Sequence, residues 1–166
     1  MMTTCKFMVF TWVSGLFIAF APFAGFAQTT AQSHVAPTLI KVGIVRDAAS
    51  FDGAGCSLQL PADYKKQNER YIFMSDLEDN AIMNIDGKDT KLKPVSHREP
   101  KGDSKKGDRS TWNYAAKGTK VRVDFVVAGV CAPNDEGCES ASYDATITVI
   151  RGSGKQVVKA KGECGS

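Results

Sequence analysis

The sequence predicts an all-β domain, a small antiparallel barrel or sandwich of about eight strands. Three observations predict it. Short runs of β-favouring residues recur along the chain, several with strict two-residue alternation. Asp-Gly, Lys-Gly and Gly-Ser-Gly turn signals separate them. No stretch after residue 27 carries the periodicity of a long helix.

The first 27 residues read as a secretory signal peptide rather than part of the fold. Lys6 gives the positive start, and Phe7 to Phe20 is an apolar run broken by Thr11, Ser14 and Gly15. Gly25-Phe26-Ala27 places small residues at the cleavage positions. A retained membrane anchor is the competing reading, but a span needs about 20 apolar residues and this run is shorter. No stable membrane insertion is therefore expected after cleavage. Cys5 precedes the apolar run, so it cannot become a lipid-modified first residue. Residues 28–38 are polar and small and read as a disordered leader, with His34 solvated. Residues 39–166 form the expected single disulfide-bonded domain.

Leu39 to Val45 is the first strand expected, followed by a Gly-rich loop over 47–55. Cys56 to Leu60 alternates and reads as a strand, and one helical turn is expected after Pro61. Tyr71 to Met74 begins a three-strand meander. Ser75 to Asn80 is its polar turn, and Ala81, Met83 and Ile85 share one face of the next strand. A helix over Leu77 to Ile85 competes, but the residues are weak helix formers and Asp86-Gly87 stops the run. Asp-Gly suits a type I′ hairpin, because both central residues need positive φ. Lys88 to Leu92 is the return strand. Lys93 to Ser110 carries Pro94, Pro100, Gly102 and Gly107 without apolar periodicity, and reads as the longest irregular segment. Thr111 to Tyr114 is a strand turning at Lys117-Gly118. In Thr119 to Val130, Val121, Val123, Phe125 and Val127 alternate with Lys120, Arg122, Asp124 and Val126, which marks a central strand. Tyr143 to Ile150 and Gln156 to Lys161 complete the set around Gly152-Ser153-Gly154.

Four cysteines remain after residue 27, an even number in an exported chain, and they read as two disulfides. Cys131 and Cys138 bracket a short turn-rich loop and are expected to pair locally. Cys56 and Cys164 then pair, tying an early strand to the chain's end, which suits a closed barrel. Zinc is a poor alternative, because paired CxxC spacing and a neighbouring His are missing. The formal charge is +3, and +2 once Lys6 is removed, which gives no reason to expect nucleic acid as a partner.

Catalytic chemistry is thinly represented. His97 is the one His of the expected domain, and GxSxG, HExxH and phosphate-loop patterns are absent, so no cofactor is expected. A pair of carboxylates could serve a small secreted hydrolase, since such pairs depend on geometry rather than spacing. Calcium would look to the acidic turns Asp76, Glu78, Asp79, Asn80 and Asp135, Glu136, Glu139, neither of which follows an EF-hand pattern. From Lys88 to Arg109 there are eight positive and four negative residues, which reads either as a solvated connector or as a basic binding loop. Trp112 and Tyr114 share one strand face beside Arg109, and serve either as core or, where exposed, as a contact surface.

The run Ala81-x-Met83-x-Ile85-Asp86-Gly87-Lys88-x-x-x-Leu92 resembles the strand–turn–strand of small periplasmic inhibitors of C-type lysozyme. Ser110 and Tyr114 keep the spacing of that family's Ser-Gly-x-x-Tyr loop, and a Lys-Gly turn follows at Lys117-Gly118. Thr111 stands where the family has Gly, and Lys117 follows Tyr114 more closely than in the family. The resemblance implies an exported β-barrel whose Ser110 enters a lysozyme's carboxylate-lined cleft and whose Lys117 contacts its acids. The expected function is a periplasmic or secreted binding protein, not an enzyme. It would recognise a protein or envelope component through Arg109, Ser110, Trp112, Tyr114 and Lys117. The alternatives are a structural envelope domain without a discrete site, or a carboxylate hydrolase.

Overall fold

The structure is a computed structural model and describes residues 38–51, 54–76, 80–132, 135 and 137–165. The expected signal peptide and all but the last residue of the expected leader lie outside the described residues.

The fold is a closed eight-stranded antiparallel barrel with one extra strand. Its strands are β2 (Gly55–Gln59), β3 (Tyr71–Asp76), β4 (Ala81–Ile85), β5 (Lys88–Arg98), β6 (Arg109–Ala116), β7 (Thr119–Gly129), β8 (Ser140–Arg151) and β9 (Gly154–Gly165). Each pairs antiparallel with the next, and β9 returns to β2, so the barrel is an up-and-down meander. The extra strand β1 (Val42–Gly43) pairs with β4 through Val42↔Ile85 and Gly43↔Asn84. It continues the line of β3, which covers only Ala81 to Met83 of β4. Helix α1 (Pro61–Lys65) joins β2 to β3. Among the described residues no helix is long and apolar enough to cross a membrane.

Two-residue alternation places the core. Leu58, Phe73, Met83, Val123, Ile147 and Val149 are fully buried inside the barrel. Between them along β7 and β8, Lys120, Arg122, Asp124, Asp144, Thr146 and Thr148 take the opposite parity and face outward. Apolar inside and charged outside is the reverse of a transmembrane barrel's polarity.

Strand β4 is buried on both faces. Ala81, Met83 and Ile85 face the core, while Ile82 packs outside against Met74 and Val45 in a second cluster capped by Ala48 and Phe51 of a short 3₁₀ turn. Asn84, 2% exposed, donates to Asp89 Oδ1 at 2.6 Å. Asp89 Oδ2 also accepts the N–H groups of Arg46 (2.8 Å) and Asp47 (2.9 Å). Burial pushes the Asp89 carboxyl up, but these hydrogen bonds and the Arg46 charge outweigh it, and the group lies below the ordinary aspartate range.

Three expectations need correction. Leu39 to Val45 is not a full strand: only Val42–Gly43 pairs, and Leu39 is 74% exposed. Side chains of Asp86 and Asp89, with single backbone bonds at Lys41 and Val45, hold the rest of this segment. Lys93 to Ser110 is not irregular throughout, because Lys93–Arg98 continues β5 and Arg109–Ser110 opens β6. A polar strand shows no apolar period, and here backbone pairing with β6 supplies the order, with a bulge between Pro94 and Ser96. Strand β9 runs on to Gly165, so Cys164 lies within the sheet.

Candidate functional site: the open mouth and its arm

The two ends of the barrel differ. At one end three of the four connections are tight turns, and the fourth, 60–70, carries α1. Asp86-Gly87 and Lys117-Gly118 both have positive φ at both residues, as type I′ turns require. The segment before β1 lies across this end. Ile40 belongs to the main core, and a β-carbon at Gly154 would collide with the carbonyl of Thr38. Lys41 N–H donates to Asp86 Oδ1 at 2.8 Å, and Arg151 pairs with Asp86. Asp86 follows β4 and Arg151 ends β8, and these strands are opposite one another in the barrel, so the ion pair bridges its end. The Lys41 hydrogen bond, then the Arg151 contact, hold the Asp86 carboxyl below the ordinary aspartate range.

The other end is open. At this end lies a cavity of about 280 Å³. Residues of inward parity on the upper barrel build it: Cys56, Ser75, Ser110, Trp112, Phe125, Tyr143 and Cys164, with Asp76 and Glu99 at the rim. Tyr114, 3% exposed, forms part of its floor and packs edge-on against Phe73 at 5.5 Å. Trp112 lies one inward position higher on β6, half-buried, with its ring 6.4 Å from Tyr114 and nearly parallel to it. The imidazole of His97 also stacks on the indole, at 4.6 Å and 17°. Phe125 and Tyr143 meet edge to face at 5.6 Å. The Cys56–Cys164 disulfide lies in the wall of the mouth at the β2–β9 seam, where the two residues are direct partners. Cys131–Cys138 closes the β7–β8 loop.

The residues singled out from sequence separate into three groups. Ser110, Trp112 and Tyr114 come together along the inner face of β6 and line the cavity. Arg109 is exposed beside them and lines a small adjoining crevice with Glu99 and Asp108. Lys117 sits in the turn at the closed end, about 23 Å from Ser110 along the strand. Sequence reasoning missed Phe125 and Tyr143 as site residues. Their inward parity was legible, but their position at the rim was not.

Beside the mouth, strands β5 and β6 form an arm. Along β5 every residue from Lys93 to Arg98 is exposed, so both faces of the strand meet solvent, and Val95 is 65% exposed. The pairing of β4 with β5 ends at Ala81↔Leu92, which leaves this half of β5 bonded to β6. The loop 99–108 at its tip adds Lys101, Lys105 and Lys106.

No family model matches the chain, and neither curated proteins nor solved structures give a significant match. The site is therefore read from its own chemistry.

A second depression, about 720 Å³, lies on the outer face between α1 and strands β2 and β9. Glu69, Glu139 and Glu163 line it. Glu163 accepts hydrogen bonds from Tyr64 (3.3 Å) and Ser140 (3.2 Å). Burial first, and then the Glu163 carboxylate, raise the Tyr64 phenol above its usual value, so it stays a donor. Among the described residues no group of three His, Cys, Asp or Glu is placed to hold a metal. Of the acidic turns, Glu78, Asp79 and Glu136 lie outside the described residues. Asp76 instead accepts from Asn80, through the backbone N–H at 2.8 Å and the side chain at 3.1 Å.

Proposed function

We propose that the protein is an exported, periplasmic or secreted, binding protein that recognises a protein or envelope component as an inhibitor or immunity protein does. The observation that carries this reading is the arm. A strand half exposed on both faces buries little beyond one reach of the Trp112 ring, yet here it is held in register by β6 and a bulge. From Lys93 to Arg109 it bears six positive and three negative residues, so its complement is an acidic surface. Val95, His97 on Trp112, and Arg109 supply the apolar, aromatic and guanidinium anchors that interfaces use. Two disulfides fit an oxidising, extracellular type of environment, and the outward-facing charges suit a barrel surrounded by water.

The resemblance to inhibitors of C-type lysozyme names one acidic target, a carboxylate-lined cleft. Ser110 and Lys117 cannot meet it together in one compact patch, being about 23 Å apart at opposite ends of the barrel. Ser110 also lines a cavity rather than tipping a loop. The arm, with Arg109 and the Trp112 rim, carries the contact in this reading, and Lys117 does not.

The test uses the protein with both disulfides formed, as bait in envelope extract and against purified C-type lysozymes, over a range of salt. Binding should weaken with salt, fall on charge reversal at Arg98 and Arg109, and survive Lys117→Ala. A partner indifferent to the arm variants would move the contact elsewhere. No partner at any salt would favour the structural envelope domain.

A further inference from the structure

We infer that the open mouth is a binding site for a small organic cation, an ammonium carried on an aromatic or short apolar group. This site goes beyond the arm's proposed partner and does not depend on it. Eight strands enclose an interior that is either filled by side chains or able to hold one small ligand. Here the two halves differ: the lower barrel is filled and strapped shut, and the upper barrel leaves about 280 Å³ open to solvent. That is the volume of roughly nine waters, enough for a single-ring amine.

The lining sets the chemistry. Trp112, Tyr114, Phe125 and Tyr143 supply π-surface on the walls and floor. Among the described residues the ionic members of the lining are Asp76 and Glu99, with Ser75 and Ser110 beside them, and neither Lys nor Arg is among them. Glu99 makes no ion pair among the described residues, and Asp76 keeps lone pairs beyond those that bind Asn80. Arg109, the nearest basic residue of the crevice next door, is not part of the lining. Among the described lining residues an anion would meet acidic groups and no counter-charge. A neutral ligand would gain the rings alone. A cation with an apolar body gains the rings, the cation–π attraction of the indole and the rim charges together.

Phenethylammonium, the near-isosteric phenethyl alcohol and phenylacetate are the probes. They are titrated into the folded protein while the Trp112 indole N–H resonance is followed, identified by its loss in Trp112→Phe. The ammonium should move that resonance saturably with a Kd near or below about 1 mM, about tenfold tighter than the alcohol, with phenylacetate weakest. Glu99 is exposed, so Glu99→Gln folds, and it should weaken the ammonium by roughly 2- to 5-fold while leaving the alcohol unchanged. Trp112→Leu, followed through the Tyr143 ring resonances, should erase the preference for the cation. Arg98→Glu, which addresses the arm, should leave the amine affinity in place or raise it. Equal binding of the three probes, tighter binding of phenylacetate, or no movement of Trp112 at millimolar ammonium would overturn the inference, whatever the fate of the arm.

Discussion

Replacing Cys56 and Cys164 together by alanine should cost the barrel far more than replacing Cys131 and Cys138. The first bridge spans 108 residues and the second spans 7. In the chain-entropy model these separations correspond to about 5 and about 2.5 kcal/mol. Local packing widens the gap. The seam between β2 and β9 has five residue pairs, of which the inward ones are Cys56↔Cys164 and Leu58↔Gly162, and Gly162 offers no side chain. The disulfide is thus the principal side-chain contact across the one pairing that joins the two ends of the meander. The other seven pairings join strands adjacent in sequence, and their loop-closure cost is small by comparison. Urea unfolding followed by far-ultraviolet circular dichroism would measure both double variants. With a slope of about 2 kcal/mol per molar, the midpoints should differ by roughly 1 M. A long-bridge variant that fails to fold beside a folded short-bridge variant points the same way, because typical stabilities are only about 5–15 kcal/mol. Amide exchange should rise first along β2 and β9 in the long-bridge variant. Equal midpoints, or a larger loss for Cys131 and Cys138, would refute the closure argument.

Asp89→Ala removes an acceptor from the buried Asn84 amide and from the backbone N–H groups of Arg46 and Asp47 after β1. A loss of about 2–4 kcal/mol is expected in urea unfolding, and a loss below about 1 would show that the segment after β1 is not held this way. The carboxyls of Asp86, Asp89 and Asp124 all lie below the ordinary aspartate value of about 3.9. Just below that value the unfolded chain binds more protons. Their stabilisation is therefore complete above it and lost as pH falls through the lower folded values. Midpoints measured across this acid range should drop, and Asp89→Asn should flatten the drop; an unchanged slope would remove Asp89 from the account. Lys117 holds φ 32° before Gly118 at 75°, a turn that favours Asn at the first position. Lys117→Asn should raise stability by about 0.5–1 kcal/mol in the same assay, without touching the arm or the mouth; a loss would refute the turn assignment.

The sequence by itself determined the local features of this protein. A two-residue period assigns two faces to each strand, and it placed Val121, Val123 and Phe125 together inside as β7 shows. Asp86-Gly87 and Lys117-Gly118 specify their turns because few residue pairs tolerate positive φ twice. The even cysteine count, with one pair around a short loop, led to both bridges. The tertiary structure alone decided between barrel and sandwich, because closure rests on the register of β2 against β9, about a hundred residues apart, and alternation carries no information about which strand lies alongside. It alone turned Lys93–Arg98 into a strand, since the order there comes from a neighbour's backbone and not from its own side chains. It also decided that Trp112 stands at a rim while Tyr114, two residues on, lies in the floor, and that Ser110 and Lys117 face opposite ends. Parity says which side of the sheet a residue occupies. Depth along the barrel depends on where the neighbouring strands stop and what straps the far end, and those are properties of the assembled chain.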